Sequence, residues 1–195
     1  VDCIHYVSPP YTSERARMKV EALCEKLTDW CGSIVFYCVP FTELQEALRD
    51  NCPEELFTVL MRRLMVKIAN RICAANDYGA IITGESVAQV ASQTLPAIFC
   101  TNAAAEYPVF RPVIGMDKRE IVDVARHIDT FEVSTLPYED CCTVFSPKHP
   151  KTRPSLEEIL AAEASFDFEP LIEKAVRETE VKQFKYGVRN VDLDM

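Results

Sequence analysis

The chain of 195 residues contains no long apolar run, because no stretch approaches the roughly 18 consecutive apolar residues of a membrane-spanning helix. Internal repeats, glycine- and serine-rich linkers and low-complexity tracts are absent as well. These absences argue against a membrane partner and favour a single globular domain. The chain begins at Val1, without methionine and directly in a predicted strand, so we expect it to be part of a longer protein.

The cysteine pattern lacks the features of a disulfide-stabilised protein. The nine cysteines are an odd number, they are scattered through predicted strands and helices, and no two are spaced as Cys-x-x-Cys. Small secreted domains use an even set of cysteines as a framework of disulfide bonds. The pattern therefore predicts a reduced, cytoplasmic protein.

Basic residues are few. The 21 lysines and arginines against 30 acidic residues give a formal net charge of -9. Because phosphate contacts from basic side chains dominate nucleic-acid affinity, this balance argues against a free-standing nucleic-acid-binding protein. Any contact with RNA must be local or must come from another part of a longer protein.

The apolar content of 48% is enough for one sizeable α/β core. Short apolar runs without alternation, at residues 3–7, 34–39 and 80–82, predict parallel strands that are covered on both faces. Helical patterns follow at residues 16–27, 53–73, 117–128, 155–158 and 170–176. This alternation predicts a doubly wound α/β fold with a mainly parallel sheet and helices on both faces, in a domain of residues 1–181 with a polar tail at 182–195.

One predicted strand ends in a glycine, Gly84, where the chain is predicted to turn into a helix. In open α/β sheets ligands lie beyond the carboxyl ends of the strands, and a glycine there lets the backbone approach a purine or ribose. Glu85, Gln89 and Gln93 are spaced four apart, so on a helix their side chains would form one polar stripe. The simpler interpretation is an ordinary amphipathic helix, since most junctions of this kind bind nothing.

Two further segments favour the binding interpretation. Residues 3–10 read Cys-Ile-His-Tyr-Val-Ser-Pro-Pro, and residues 138–152 place adjacent cysteines before a loop rich in proline and lysine. Together with Gly-Glu-Ser-Val-Ala-Gln-Val-Ala-Ser-Gln-Thr-Leu at residues 84–95, they resemble the ThiI family of ATP-dependent sulfurtransferases, which make 4-thiouridine in tRNA and are also called thiamine biosynthesis proteins. The resemblance extends to about Val181 and implies an ATP-pyrophosphatase domain with an adenine nucleotide alpha hydrolase-like, Rossmann-like fold.

The resemblance also implies a set of nucleotide contacts. His5 and Tyr6 would contact the adenine of ATP, largely through the main chain, although both also fit a buried aromatic cluster. Further ATP contacts are implied at Arg62, Gly84 and Gln93, and Mg²⁺ is expected with the nucleotide. The basic contact could also be the neighbouring Arg63. Glu85 and Gln89 are added to the predicted nucleotide contacts only because of their spacing.

A cysteine of the loop after Tyr138 takes part in sulfur transfer in the family that this chain resembles. Alignment of the downstream proline and threonine selects Cys142, whereas a gap of one residue would select Cys141. Adjacent cysteines are poor ligands for a single metal ion, and no metal site is predicted. The other seven cysteines are interpreted as packing residues.

Polar residues flank both cysteines and predict an exposed loop with accessible thiols. Basic side chains in the loop would favour the reactive thiolate if the loop folds back: Lys148, His149 and Lys151.

The family's phosphate-binding loop, Ser-Gly-Gly-x-Asp-Ser, has no counterpart in these residues, so we expect this chain by itself to be inactive. The tRNA-binding modules of the family and the rhodanese-like domain of some members are also missing from it. A second cysteine in that domain serves thiazole synthesis, which leaves a role in thiamine synthesis open.

The resulting hypothesis is a tRNA uracil 4-sulfurtransferase, with tRNA as substrate and a cysteine desulfurase as persulfide donor. One alternative is another ATP-pyrophosphatase enzyme, such as an amidating synthetase or a different tRNA thiolase. The other is a non-catalytic module that binds adenine nucleotides.

Overall fold

A computed structural model describes residues 1–87, 89–90, 93–138, 141 and 145–188. Contacts divide the chain into two units. The first unit comprises Val1–Phe41, Lys118–Val144 and Glu178–Met195, and the second comprises Thr42–Asp117 and Phe145–Arg177. Both units combine helices with strands, which confirms the predicted α/β class.

The first unit is built on a three-stranded sheet with the order β1 (Cys3–Val7), β2 (Ser33–Pro40) and β5 (Glu180–Lys185). Strand β1 pairs with β2 in parallel, whereas β5 pairs with β2 in the antiparallel direction. The described residues of this unit also form helices α1 (Glu14–Cys31), α5 (Lys118–His127) and α6 (Phe131–Ser134).

Helix α1 connects β1 to β2 and has a defined cap at each end. The hydroxyl of Ser13 accepts a hydrogen bond from the amide of Ala16, which satisfies a donor that the first turn leaves open. Gly32 ends the helix with φ of 75°, a conformation that glycine adopts without steric cost. The helix contributes Cys24 to a buried cluster with Ile34, Phe36, Cys38 and Phe184.

Strand β5 is a correction to the predicted organisation. It makes this sheet mixed instead of parallel, and it includes residues 182–185, which the sequence analysis placed in a polar tail. Only Phe184 of this strand is buried, where its ring packs edge-on against Phe36 at 6.0 Å between centroids. A strand with one inward apolar residue has no alternating apolar pattern, so periodicity does not predict it.

The second unit has a two-stranded parallel sheet of β3 (Ile81–Ile82) and β4 (Val109–Phe110). A single 3₁₀ turn, Glu54–Leu56, precedes its longest helix, α3 (Phe57–Asn76). The described residues of the unit also form helices α2 (Thr42–Asn51), α4 (Leu95–Asn102), α7 (Leu156–Glu163) and α8 (Glu169–Arg177). The predicted helices from Pro53, Ser155 and Pro170 are thereby confirmed to within a few residues.

Helix α3 is the centre of this unit. Leu60, Leu64 and Ile68 are fully buried along one side of it. Met61 and Cys73 are buried beside them, so two adjoining apolar stripes are covered as predicted. Asp77 caps the end of the helix in a left-handed conformation with φ of 57°.

The helix predicted to start at Gly84 is wrong for the described residues of that segment. Residues 84–87, 89 and 90 are not helical, whereas Ala88, Ala91 and Ser92 lie outside the described residues. Helix α4 begins at Leu95, where the hydroxyl of Thr94 caps the amide of Ala97. Polar side chains upstream bond to the backbone and to each other, which competes with helix formation.

None of the helices in the described ranges is long and apolar enough to cross a membrane.

Candidate functional site

Gly84 lies on an exposed loop directly after β3 in the second unit. Thr83 continues the pairing with β4, because its amide donates to the carbonyl of Phe110 at 3.0 Å. A Cβ at Gly84 would meet no atom within 4 Å, and the residue does not have a left-handed φ. Neither packing nor backbone conformation therefore requires glycine here, which suits close approach by a ligand.

The side chain of Glu85 joins this loop to two arginines. Its Oε1 accepts a hydrogen bond from Nη1 of Arg62 at 2.8 Å, and its Oε2 accepts one from Nε of Arg111 at 2.7 Å. The hydroxyl of Thr83 also donates to Oε2, at 3.0 Å. Glu85 is only 6% exposed, so its carboxylate is enclosed by these donors. Glu85 was predicted as a nucleotide contact on a helix stripe, and the stripe is wrong because this segment is not helical.

Arg62, and not Arg63, lies beside the loop of Gly84. The two point to different sides of α3, because consecutive helical residues are rotated by about 100°. Arg63 is 3% exposed in its side chain and donates to Oε2 of Glu163 and to the carbonyl of Cys100, each at 2.6 Å. Arg62 is 22% exposed and lies against Glu85, the residue after Gly84.

Glu163 forms a second carboxylate cluster on α7. It accepts from Arg63 and from the ammonium group of Lys67, another residue of α3. Burial alone would raise the pKa of Glu163, but the hydrogen bonds from both cations outweigh it and hold the pKa below its ordinary value. This cluster stabilises the contact between α3 and α7 and has no link to Gly84 through the described contacts.

The side chain of Gln93 contacts the same loop. Its Oε1 accepts a hydrogen bond from the amide of Ser86 at 3.1 Å, and the hydroxyl of Ser86 donates to the carbonyl of Met116. Gln89 is exposed and its side chain has no partner among the described residues. The structure therefore brings Arg62, Gly84 and Gln93 together around residues 84–86.

His5 and Tyr6 belong to the first unit, on the edge strand β1. The ring of His5 stacks on Phe36 at 6.2 Å between centroids, and the ring of Tyr6 meets Phe41 edge-on at 5.3 Å. Both side chains thus take part in packing. A nucleotide contact from either residue would use its main chain, as the resemblance implies.

Cys141 is 6% exposed, so the expectation of an accessible thiol is wrong for this residue. The chain approaches it from Tyr138, whose carbonyl accepts a hydrogen bond from Lys19 of α1 at 2.7 Å. Arg15 of the same helix donates to the hydroxyl of Tyr138 at 3.4 Å. These contacts hold the start of the cysteine segment on α1. Cys142 lies outside the described residues, and its predicted role is untested.

The basic loop after the cysteines belongs to the second unit. The amide of Lys148 donates to Oε1 of Glu54 at 3.3 Å, and the amide of Lys151 donates to the carbonyl of Glu55 at 3.0 Å. The ammonium group of Lys151 pairs with Glu158. That these residues and the exposed His149 favour the thiolate of a nearby cysteine stays a prediction.

Most of the remaining cysteines have the expected packing role. Burial raises the pKa of Cys38 to about 11 and also raises the pKa of Cys73 and of Cys100, which disfavours their thiolates. Cys3 and Cys52 are half-buried, and Cys31 is exposed as the last residue of α1. Within the described ranges, no three side chains of His, Cys, Asp or Glu are grouped to hold a metal ion.

Arg111 is the residue of this site that the sequence analysis missed. Arg111 directly follows β4, and Gly84 comes two residues after the end of β3. Because β3 and β4 are paired in parallel, their carboxyl ends lie at the same edge of the sheet. A basic residue directly after a strand would have been the signal. The strand itself, with two residues, is too short to predict from its pattern.

Comparison with known proteins identifies the family. The ThiI family, described as thiamine biosynthesis protein, matches residues 1–168. A probable tRNA sulfurtransferase of Acetivibrio thermocellus is 52% identical over 181 residues, which cover 93% of this chain and 46% of the relative. A probable tRNA sulfurtransferase of Alkaliphilus metalliredigens is 52% identical over 180 residues, which cover 92% of this chain and 46% of that relative.

A solved structure agrees with the sequence relatives. A crystal structure of a 4-thiouridine synthetase in complex with RNA and with bound ATP superimposes with a TM-score of 0.89 at 34% identity. The match covers 94% of this chain and 48% of that one, so the chain spans about half the length of the relatives it matches. The chain belongs to the ThiI family.

Proposed function

We propose that the full-length protein is an ATP-dependent tRNA sulfurtransferase that forms 4-thiouridine, and that this chain supplies part of its ATP-pyrophosphatase domain. The observation that carries the proposal is the convergence of Arg62, Gly84 and Gln93 on one loop after β3. The relatives add support, since they are described as probable tRNA sulfurtransferases and one solved relative holds both ATP and RNA. Because this chain covers about half of them, the activity is proposed for the longer protein.

The residues of this chain would hold the nucleotide in three ways. Gly84 offers backbone without a Cβ, so an adenosine could approach closely. Arg62 is a partly exposed cation, which suits an anionic phosphate. The amide of Gln93 keeps its NH₂ donors after accepting from Ser86. Mg²⁺ would accompany the phosphates.

In the proposed reaction, O4 of the tRNA uridine attacks the α-phosphorus of ATP and pyrophosphate leaves. The terminal sulfur of a persulfide then attacks C4, and AMP leaves with the oxygen. A second thiolate attacks the inner sulfur of the resulting disulfide, which forms a new disulfide and releases 4-thiouridine. We assign the thiol chemistry of this chain to Cys142, with Cys141 as the alternative, and the persulfide to a cysteine desulfurase in the cytoplasm.

We also propose that the fold is of the adenine nucleotide alpha hydrolase-like, doubly wound class. The parallel pairing of β1 with β2 and of β3 with β4 supports this assignment. The family description leaves a role in thiamine synthesis as a further proposal for the longer protein.

Incubation of the full-length protein with ATP, tRNA and a cysteine desulfurase with cysteine tests the function. We expect release of pyrophosphate and AMP, and 4-thiouridine in nucleosides analysed by mass spectrometry. Omission of ATP should abolish the product, because the uracil oxygen is a poor leaving group until it is activated. A different modified nucleoside, or an amidated product, would show another ATP-pyrophosphatase enzyme. ATP binding without turnover of any of these substrates would favour the non-catalytic module.

Substituting Gly84 by alanine separates ligand binding from folding. The site accepts a Cβ without a clash or a left-handed φ, so the free energy of unfolding should stay equal or rise by about 0.4–1 kcal/mol. ATP affinity of the full-length protein should fall, because the new methyl group occupies the space proposed for the nucleotide. Calorimetric titration with ATP and urea unfolding measure the two effects. Gly79→Ala is the matched control, since a Cβ there also meets no atom within 4 Å, and equal ATP affinity for both variants would remove Gly84 from the site.

A further inference from the structure

Glu85 holds two arginines from distant parts of the second unit. Arg62 comes from α3 and Arg111 from the segment after β4, and each donates to a different oxygen of the carboxylate, at 2.8 Å and 2.7 Å. Thr83 adds a third donor from the loop itself. A carboxylate that is 6% exposed and accepts three hydrogen bonds has a fixed position.

The two arginines differ in how many donors they have left. Arg111 also donates from Nη1 to Oδ1 of Asn102 at 3.1 Å, and its side chain is 14% exposed. In the described part of the chain, Arg62 has Glu85 as its single hydrogen-bonding partner, and its side chain is 22% exposed. Nε and Nη2 of Arg62 are therefore available to a ligand, whereas Arg111 is held by two partners.

The cluster carries a net charge of about +1, from two guanidinium groups and one carboxylate. With Glu85 alone as its neighbour, the charge of Arg62 would be neutralised by a pair at hydrogen-bonding distance. Arg111 offsets the carboxylate and leaves the positive charge of Arg62 for an anion. The arrangement therefore both orients Arg62 and keeps the loop after Gly84 attractive to phosphate.

We propose that Glu85 and Arg111 are positioning residues of the nucleotide site, which hold Arg62 beside Gly84 so that it contacts the phosphates of a nucleoside triphosphate. This inference rests on the proposed ATP-binding function and extends it to two residues that act through Arg62. Glu85 itself does not contact the nucleotide, because its oxygens are occupied by the three donors.

A double-mutant cycle in the full-length protein tests this role, with ATP affinity measured by calorimetry. Arg62→Ala should weaken ATP binding about ten- to a hundredfold, as expected for loss of a charge-assisted hydrogen bond. Glu85→Gln should weaken binding about tenfold when Arg62 is present, because the amide cannot accept from both arginines. In the Arg62→Ala background the same change should alter affinity less than about twofold, because the residue that Glu85 positions is gone.

Substitutions of Arg111 test whether its charge offsets that of Glu85 in the nucleotide site. Arg111→Gln should weaken ATP binding several-fold, whereas Arg111→Lys should retain most of the affinity because the charge is kept. A loss that is equal for both substitutions would show that Arg111 supports the fold and not the charge of the site.

Glu163→Gln is the matched control. Like Glu85, Glu163 is nearly buried and pairs with two cations. Its partners, Arg63 and Lys67, are both on α3, and it has no contact with the loop of Gly84 among the described contacts. This variant should lose stability in urea unfolding, as we also expect for Glu85→Gln, and should keep wild-type ATP affinity. Independent, additive losses in the cycle, or an equal loss of ATP affinity in Glu163→Gln, would overturn the inference.

The same titrations distinguish this inference from the proposed function. Wild-type protein that binds ATP without forming 4-thiouridine would contradict the sulfurtransferase function, while the cycle would still decide the role of Glu85. Wild-type protein that binds no ATP would overturn both.

Discussion

Cys142→Ser is expected to abolish 4-thiouridine formation by the full-length protein while leaving ATP affinity unchanged. Sulfur transfer needs a thiolate that attacks or resolves a disulfide, and the serine hydroxyl neither ionises near neutral pH nor accepts sulfur reversibly. Nucleotide binding is assigned to other residues, so the two properties should separate. Quantification of 4-thiouridine by mass spectrometry and calorimetric titration with ATP measure them on the same preparation.

Cys141→Ser is the control for that experiment and should retain most of the activity. Cys141 is 6% exposed, so its thiol is poorly placed to meet a persulfide. The reverse result, loss of product only in Cys141→Ser, would assign the reaction to Cys141 without affecting the family assignment. Normal thiolation by both single variants and by the double variant would exclude both cysteines from the reaction.

Leu60→Ala is expected to lower the free energy of unfolding by about 2–5 kcal/mol. Leu60 is fully buried in the first turn of α3, and the substitution removes apolar contacts and leaves a cavity. Because α3 also carries Arg62, loss of this core should reduce ATP binding at temperatures where the variant begins to unfold. Urea unfolding followed by circular dichroism gives the free-energy difference.

Leu160→Ala is the matched control, because Leu160 is helical but 46% exposed. Its substitution should change the free energy of unfolding by less than about 1 kcal/mol, since most of the side chain stays in water in both states. Equal effects of the two substitutions would show that α3 is not the central helix of the second unit.

Several helices follow from local sequence signals, and this is why their prediction succeeded. Ser155 accepts a hydrogen bond from the amide of Glu158 at the start of α7, as its capping pattern predicted. The apolar stripes of α3 predicted a helix buried on two sides. Each signal lies within one or two helical turns, so no knowledge of the tertiary structure was needed.

The segment after Gly84 shows where local signals fail. Its spacing of polar residues predicted a helix stripe of Glu85, Gln89 and Gln93, but Glu85 turns towards two arginines. Those partners lie 23 and 26 residues away in sequence. Electrostatic and hydrogen-bonding energy from distant residues outweighs the modest helical preference of the segment.

The sequence by itself determined the α/β class, because apolar periodicity along the chain carries that information. Its motifs, through their resemblance to known members, indicated the ThiI family and led to the prediction of Arg62, Gly84 and Gln93 as nucleotide contacts. Only the tertiary structure decided that Arg62 and not Arg63 lies beside Gly84, that Arg111 joins it, and that Cys141 is buried. Each of these three features depends on a contact between one side of a helix, or the end of a strand, and a residue that is distant in the sequence. Such pairing is fixed by packing of the whole unit and has no local pattern.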